Sequence, residues 1–436
     1  MENVYALTPM QKGMLFYSLL DSQSEVYFEQ SSFDLKGQFN IAAFGASLDR
    51  LVQRHTVLRT NFYSGWKEEP LQVVYRHKRS ELYVEDLRDA QEEERNDYIR
   101  EFTHKDKQRG FDLAQDALMR VAILRTGEDS YRFIWSFHHI VMDGWCLSLL
   151  TNEVFASYFA ILDNKQPELA PVTPYSQYIE WLEHQDHQEA SHYWITYLDG
   201  YEEQVHLPQA NMQSKTGYQA ERFDFDLGIG LTTQIQRIAQ RYQVTINTLI
   251  QTVWGILLQK YNGTDDVVFG SVVSGRPADI PNVEHMIGLF INTVPVRISS
   301  RKESLFSAVM QQIQEQSIAS HAYDTYPLYE IQSLSELKQD LINHIMIFEN
   351  YPVEKEIELL GDDKQASFTI TGAESIEQTN YDFNLIVMPG HTIQMRFGYN
   401  AQVFEHEGIE KIQGHLVQLL EQVTANPNIP VRELDV

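Results

Sequence analysis

Apolar positions recur along the chain with two different periods. Ile41, Phe44, Leu48, Leu51 and Val52 repeat at helical spacing, which predicts an amphipathic helix, and Val57 to Phe62 follow as β-branched and aromatic extended chain. In the second half Ile246, Leu249, Ile250, Val253, Trp254, Leu257 and Leu258 make a stripe wide enough to predict a core helix. Leu305, Val309 and Ile313, then Ile409, Ile412, Leu416 and Leu419, predict two more. Val267 to Val273 reads as a buried strand, and Phe383 to Met388, Pro389-Gly390 and Thr392 to Tyr399 as strand, turn and strand. Near the start, Thr8-Pro9-Met10-Gln11 has the form of a capping box with proline at the first helical position, followed by apolar residues through Leu20. Both halves mix helices with strands, so the expected class is α/β with mixed sheets.

Pro167, Pro171 and Pro174 fall together in a stretch that supports neither a helix interior nor a central strand. A lobe boundary is expected there, giving lobes of residues 1–170 and 171–436. Pro427 and Pro430 punctuate the last residues, which read as the beginning of an exit linker. No internal repeat or low-complexity tract interrupts this organisation.

At 436 residues, 43% of them apolar, the chain is long enough for two lobes and a substantial core. It carries 34 Lys and Arg against 61 Asp and Glu, a net charge of −27. A field of that sign repels phosphate backbones and anionic lipid, so neither nucleic acid nor a membrane is an expected partner. The single cysteine, Cys146, excludes an internal disulfide framework and every multi-cysteine metal site and fits the cytoplasm. The opening residues lack the regions of a signal peptide. The most apolar window, Phe133 to Leu150, is interrupted by His138, His139 and Asp143 and falls short of the roughly 20 clean apolar residues of a membrane span.

The same window carries the candidate chemistry. Phe133 to His139 is aromatic and β-branched, and Asp143-Gly144-Trp145 ends it. On a strand, Phe133, Trp135, Phe137 and His139 share one face, with Ile134, Ser136 and His138 on the other. One histidine then reaches a cavity while its neighbour satisfies its ring nitrogens inside the lobe. Two packed core histidines beside an Asp-Gly turn are the plainer alternative, in which Asp143 is a local capping carboxylate. A metal site is disfavoured, because adjacent residues on a strand diverge and no third ligand stands nearby in sequence. A chance H-H-x-x-x-D-G is expected in on the order of one such chain in a thousand.

With those residues the chain resembles the condensation domains of non-ribosomal peptide synthetases. Their HHxxxDG signature stands here as His138 to Gly144, and their RHxxLRTxF block as Arg54 to Phe62. The YxxYxxW block is matched by Tyr175, Tyr178 and Trp181, and the GxFxNT block by Gly288, Phe290, Asn292 and Thr293, with Arg297 following. The position after Asp-Gly-Trp, commonly serine, is Cys146, nearly isosteric and read as packing rather than a nucleophile. A later block is matched only loosely at His321 to Pro327, and no role is transferred to it. The opening Leu7 to Phe16 resembles the subfamily that accepts a D-configured donor.

The resemblance implies two chloramphenicol-acetyltransferase-like lobes arranged as a V, with the active site in a tunnel between them. Donor and acceptor peptidyl carrier domains deliver substrates on phosphopantetheine arms, and the acceptor α-amine attacks the donor thioester carbonyl. The domain itself holds no cofactor and no metal. His139, His138, Asp143 and Gly144 are the implied catalytic set. Arg59 and Trp145 are implied to support it, Arg59 as ion-pair partner of Asp143 with Arg276 and Arg297 as alternatives. An α-amine with a pKa of ~7.7–8.0 is already partly neutral near pH 7, so alignment and oxyanion stabilisation are the main burdens. The expected protein is a monomeric piece excised from a larger synthetase, beside an adenylation domain. An epimerisation domain of the same superfamily and a non-catalytic carrier-docking platform are the competing readings.

Overall fold

The first helix, α1 (Pro9–Leu20), begins where the capping box places it. The Gln11 amide donates to Thr8 Oγ1 at 3.1 Å and the Thr8 amide to Gln11 Oε1 at 3.0 Å, so each residue caps the other's backbone. The computed structural model describes residues 1–20, 26–66, 69–208, 217–349, 367–376 and 379–436. They form two units, and the sequence is not divided between them by a single cut. The first unit comprises Met1–Gln185, Arg276–Phe290 and Tyr351–Thr379, and the second the remainder.

Within the first unit, β1 (Asn3–Ala6), β3 (Thr60–Trp66) and β4 (Glu69–Val74) make an antiparallel sheet in the order β1-β4-β3. A five-stranded mixed sheet uses β2 (Phe28–Gly37), β5 (Glu81–Asp86), β6 (Met119–Gly127) and β7 (Ser130–His138). Its fifth strand, β12 (Phe368–Ile376), comes from late in the chain and gives the order β12-β2-β7-β6-β5, with β5 and β6 parallel. Pairing along β2 covers an edge that would otherwise expose a row of backbone donors and acceptors. That is why a cut near residue 170 does not separate the units.

Helix α2 (Ile41–Arg54) buries Phe44, Leu48, Leu51 and Val52, the stripe read from sequence. It packs against α4 (Gly144–Leu162), and between the two in sequence lie α3 (Glu92–Arg109) and much of the sheet. By length and hydropathy α4 is the one helix among the described residues that could cross a membrane. Its Leu147, Leu150, Val154 and Phe155 are instead buried in the unit. Residues Val57 to Arg59, expected to be extended, form a short 3-10 turn before β3. Short apolar runs do not distinguish the two conformations, and the turn carries the Arg59 side chain inward to 4% exposure. Helix α5 (Ser176–Glu183) closes the continuous part of the unit.

The second unit holds a six-stranded sheet, also mixed. Its strands are β8 (Ala220–Asp226), β9 (Asp266–Val273), β10 (Asn292–Ser299), β11 (Ile345–Phe348), β13 (Phe383–Met388) and β14 (Gln394–Asn400), in the order β10-β9-β11-β13-β14-β8. Helices α6 (His187–Leu198), α7 (Gly228–Tyr242), α8 (Ile246–Asn262), α9 (Phe306–Ser320), α10 (Leu328–Leu334) and α11 (His406–Ala425) surround it. Twelve consecutive residues of α8, Thr248 to Gln259, are buried, as its wide stripe predicts. A Cβ on Gly255 would fall 2.2 Å from Ile298, so glycine is what lets α8 lie against β10.

The final residues are not a free linker as far as Val436. The Phe306 amide donates to Ile429 O, the Val431 amide donates to Ser304 O, and Val431 and Leu434 are buried in the core of the second unit. Proline there ends helix α11 without ending the fold.

Candidate active site

Strand β7 ends at His138, so His139 lies in the following turn. The alternation expected along a strand therefore stops one residue short of the second histidine. His138 pairs in register with Phe28 on β2, and its amide donates to Leu118 O at 3.0 Å. Its ring is 5% exposed. Nδ1 accepts the Ile140 amide at 3.1 Å, which leaves the ring proton on Nε2, 3.4 Å from Ser18 Oγ. Ser18 in turn donates to Met14 O at 2.9 Å. Tyr27 and Phe111 pack on the ring at 6.3 and 6.4 Å. Burial, with His139 alongside, pushes the His138 pKa down to about 3.

The second unit contains a similar buried histidine. His344 accepts from Trp254 Nε1 at 2.9 Å, and burial likewise lowers it to about 3. In both cases the unfolded chain binds a proton below about pH 6.5 that the folded chain refuses until about pH 3. Stability present above pH 6.5 is thus lost as the pH falls through that window. Each histidine contributes a slope of up to ~1.4 kcal/mol per pH unit. Urea melts of the parent and of His344→Gln between pH 7 and 4 measure it, the variant being expected to show the shallower acid slope.

His139 is held differently. Its amide donates to Tyr27 O at 2.9 Å, and Tyr27 has a φ of 68°, a left-handed backbone rarely adopted by a bulky residue. The His139 side chain is half-buried. Its Nδ1 is enclosed and has no hydrogen-bond partner among the described residues. The carbonyl of the next residue, Ile140, accepts Gln11 Nε2 at 3.1 Å, and Gln11 Oε1 accepts Gln72 Nε2 at 2.9 Å. The glutamine that caps α1 therefore also anchors the turn carrying the histidines.

Asp143 is 1% exposed and sits at the N-cap of α4 without capping it. Its carboxylate is engaged elsewhere. Oδ1 takes Arg276 Nη2 at 3.2 Å and the Cys146 thiol at 3.2 Å, and Oδ2 takes the Phe290 amide at 3.2 Å. The Asp143 amide donates to Gly288 O at 3.3 Å. Arg276 also donates to Val283 O and Met286 O, each at 2.8 Å, and its guanidinium lies 4.1 Å from the Phe290 ring centre and 5.8 Å from that of Trp145. Trp145 Nε1 donates to Glu284 O at 3.1 Å. Cys146 is fully buried, and burial together with Asp143 pushes its thiol up to about 12, where it is no nucleophile. Gly144 is the first residue of α4.

This corrects the expected ion pair. Arg59 binds Glu2 at 2.5 Å and the carbonyls of Tyr75 and Arg76, and does not bind Asp143. Arg297 binds Asp266 at 2.6 Å in the second unit. Of the three arginines considered, the structure selects Arg276, which lies 133 residues from Asp143 in sequence.

Within the first unit, residues of the other blocks pack against one another and against α4. Tyr175 Oη donates to Leu289 O, and a Cβ on Gly288 would fall 2.2 Å from the Tyr175 ring. Only glycine permits that approach. Tyr178 packs 4.6 Å from Phe290 and stacks on Trp181 at 6.2 Å. In the RHxxLR block His55 Nε2 pairs with Glu153 at 2.7 Å and Arg54 with the same carboxylate at 3.2 Å, so that block braces α2 against α4. Asn292 serves the second unit, donating to Asp324 O and Tyr326 O at 2.8 and 2.7 Å. Sequence reasoning missed Tyr27, Ser18, Gln72 and the second task of Gln11. Only the double use of a buried glutamine side chain could have signalled any of them. Among the described residues no three His, Cys, Asp or Glu side chains are grouped to hold a metal ion.

The model of the family described as Condensation domain matches residues 1–436. This chain is a member of that family. The condensation domain is 54% identical over its whole length to part of a mycosubtilin synthase of Bacillus subtilis, covering 17% of that relative. It is 41% identical to part of tyrocidine synthase 2 of Brevibacillus parabrevis, covering 12% of that protein. It thus spans under a fifth of the length of these relatives. Its fold matches the starter condensation domain of rhizomide synthetase RzmA with a TM-score of 0.82 at 18% identity, covering 100% of this chain and 99% of that one. The X-domain from teicoplanin biosynthesis matches with a TM-score of 0.81 at 20% identity, over 99% and 97% of the two chains. Condensation domains of peptide synthetases form amide bonds between carrier-bound substrates, and that is the reaction class of this domain.

Proposed function

We propose that this domain transfers a donor peptidyl or aminoacyl group from its carrier thioester to the α-amine of an acceptor aminoacyl group on a second carrier. The observation that carries the reading is the division between adjacent histidines. His138 is sealed with both ring nitrogens accounted for, whereas His139 is half-buried in a turn fixed at Tyr27 and Ile140. The His139 imidazole accepts a hydrogen bond from the attacking amine, orients it, and takes its proton as the tetrahedral intermediate collapses, the C–S bond breaking to release the thiolate of the donor carrier's phosphopantetheine arm. Gly144 opens α4, so the positive end of that helix dipole lies where the signature ends and favours negative charge developing on the carbonyl oxygen. The Asp143 carboxylate is taken up by Arg276, Cys146 and the Phe290 amide, and it fixes the turn.

Two peptidyl carriers bring the phosphopantetheine arms, and the domain needs no bound cofactor of its own. Helix α1 exposes Phe16, Tyr17, Leu19 and Leu20, an apolar face of the kind a carrier domain covers. The setting is the cytoplasm, within a synthetase that also holds an adenylation domain, and the excised domain is a monomer. An assay with two loaded carriers tests the reading: the lengthened product on the acceptor carrier supports it. Complete absence of that product would favour a docking platform that has kept its signature residues.

The donor ends in a D-configured residue, as the opening block Leu7 to Phe16 suggests. Inverting the α-carbon beside the thioester exchanges side chain and hydrogen, so a wall shaped for one isomer moves the other's carbonyl out of line. A displacement of ~1 Å lowers the rate by ~10²-fold. Single-turnover rates with matched D- and L-terminated donors decide it, and equal rates or a faster L donor would overturn the assignment.

A further inference from the structure

The second unit contains a cavity that the condensation reading does not use. It has a volume of about 340 Å³, within the range of small-ligand sites. Asn247 and Gln251 of α8, Ser271 of β9 and Gln316 of α9 line it, with His321 and Asp324 from the turn after α9. Val272, Val294 and Ile313 supply apolar wall. His321 and Asp324 belong to the loosely matched block to which the sequence assigned no role.

Two acceptors in the polar part of the wall lack donors. Asn247 Oδ1 and Gln316 Oε1 are both enclosed, and neither has a hydrogen-bond donor among the described residues. A buried acceptor left without a donor is unfavourable, and two on one cavity mark a place where donors are missing. Asp324 adds a carboxylate at 9% exposure. Its Oδ2 is held by His321 Nδ1 at 2.8 Å, and burial, partly offset by that histidine, raises its pKa to about 6. Ser271 Oγ already accepts Gln251 Nε2 at 2.9 Å. No Lys or Arg is among the lining residues, so nothing in the wall offsets the charge of an anion, whereas the Asp324 carboxylate offsets that of a cation.

We propose that this cavity binds a primary alkylammonium group, whose N–H donors are taken by Asn247 Oδ1, Gln316 Oε1 and the Asp324 carboxylate. A primary ammonium has three donors and no acceptor, which complements three acceptors on one small cavity, and a short alkyl stem suits the valine and isoleucine wall. Such a group comes either on the side chain of a carrier-delivered aminoacyl substrate or on a free small amine.

Binding is tested on the unloaded domain, so the outcome does not depend on its condensation activity. n-Butylammonium chloride is expected to raise the melting temperature saturably, by about 1–3 °C at a tenfold excess over Kd. n-Butanol, sodium butyrate and sodium chloride at equal ionic strength are expected not to. The Asn247→Leu/Gln316→Leu double variant should lose the response while melting no lower than the parent, since it removes two unpaired acceptors. An equal response to butanol, no saturable response, or a response retained by the double variant overturns the proposal. A second arm identifies the source. If the parent condenses a lysyl acceptor faster than a norleucyl one and the double variant does not, the ammonium arrives on the carrier. If the butylammonium response holds while the two acceptors react alike, it arrives free.

Discussion

His139→Ala is expected to slow peptide-bond formation by roughly 10²-fold or more, the ordinary contribution of a positioned proton acceptor, while the melting temperature stays close to that of the parent. The His139 amide, not its side chain, makes the bond to Tyr27 O, and alanine keeps that amide. The imidazole is half-buried with Nδ1 unpaired, so deleting it breaks no hydrogen bond among the described residues. His138→Ala should behave in the opposite order. It removes the acceptor of the Ile140 amide and leaves a hole between Tyr27 and Phe111, so thermal stability falls first and rate follows. Single-turnover rates and melting curves on the two variants separate these outcomes. Parent-like turnover by His139→Ala would remove it from the reaction.

Asp143→Ala is expected to destabilise the first unit by roughly 3–5 kcal/mol, because it leaves the Arg276 guanidinium buried without its carboxylate. For a domain of this size that corresponds to a fall of roughly 3–5 °C in Tm. Arg276 is 6% exposed at its side chain and Asp143 1%, so neither charge can turn to solvent. The Phe290 amide and the Cys146 thiol lose their acceptor in the same step. Arg276→Ala should do comparable damage from the other side, whereas Arg59→Ala should leave Asp143 and its contacts intact. Replacing both partners, as in Asp143→Leu/Arg276→Met, should recover much of the stability, since two apolar groups of similar volume leave no buried charge behind. Any rate lost by Asp143→Ala then tracks unfolding or displacement of the turn. A variant that kept its melting temperature and lost only rate would give Asp143 a chemical role.

Local signals were readable from the chain before any tertiary contact was known. The Thr8–Gln11 capping box, the stripe of α2 and the wide stripe of α8 each depend on residues within a few positions of one another, and each formed where its period placed it. The HHxxxDG residues, together with the other blocks, likewise pointed to the family that the whole chain matches, because they stand in short segments. The end of β7 did not follow from periodicity, since aromatic and β-branched residues continue past the last paired position and only the register with β2 stops the strand at His138.

Tertiary structure alone decided the remaining points, all of which join residues far apart in sequence. An arginine's five donors fit any carboxylate equally well, so nothing local distinguishes Arg59, Arg276 and Arg297 as partners for Asp143. The fold chooses by placing Gly288 against Tyr175 and so bringing residues 276–290 beside the signature. Strand β12 joined the first unit because an open edge on β2 needs backbone partners, whatever their distance along the chain. The final prolines ended a helix, yet Val431 and Leu434 still found a core to enter. Sequence by itself determined most of the long helices and strands and the family to which the chain belongs, since period and residue type are local properties. Which partners close around those residues was decided by the packed chain, because burial and ion pairing are settled by position in space.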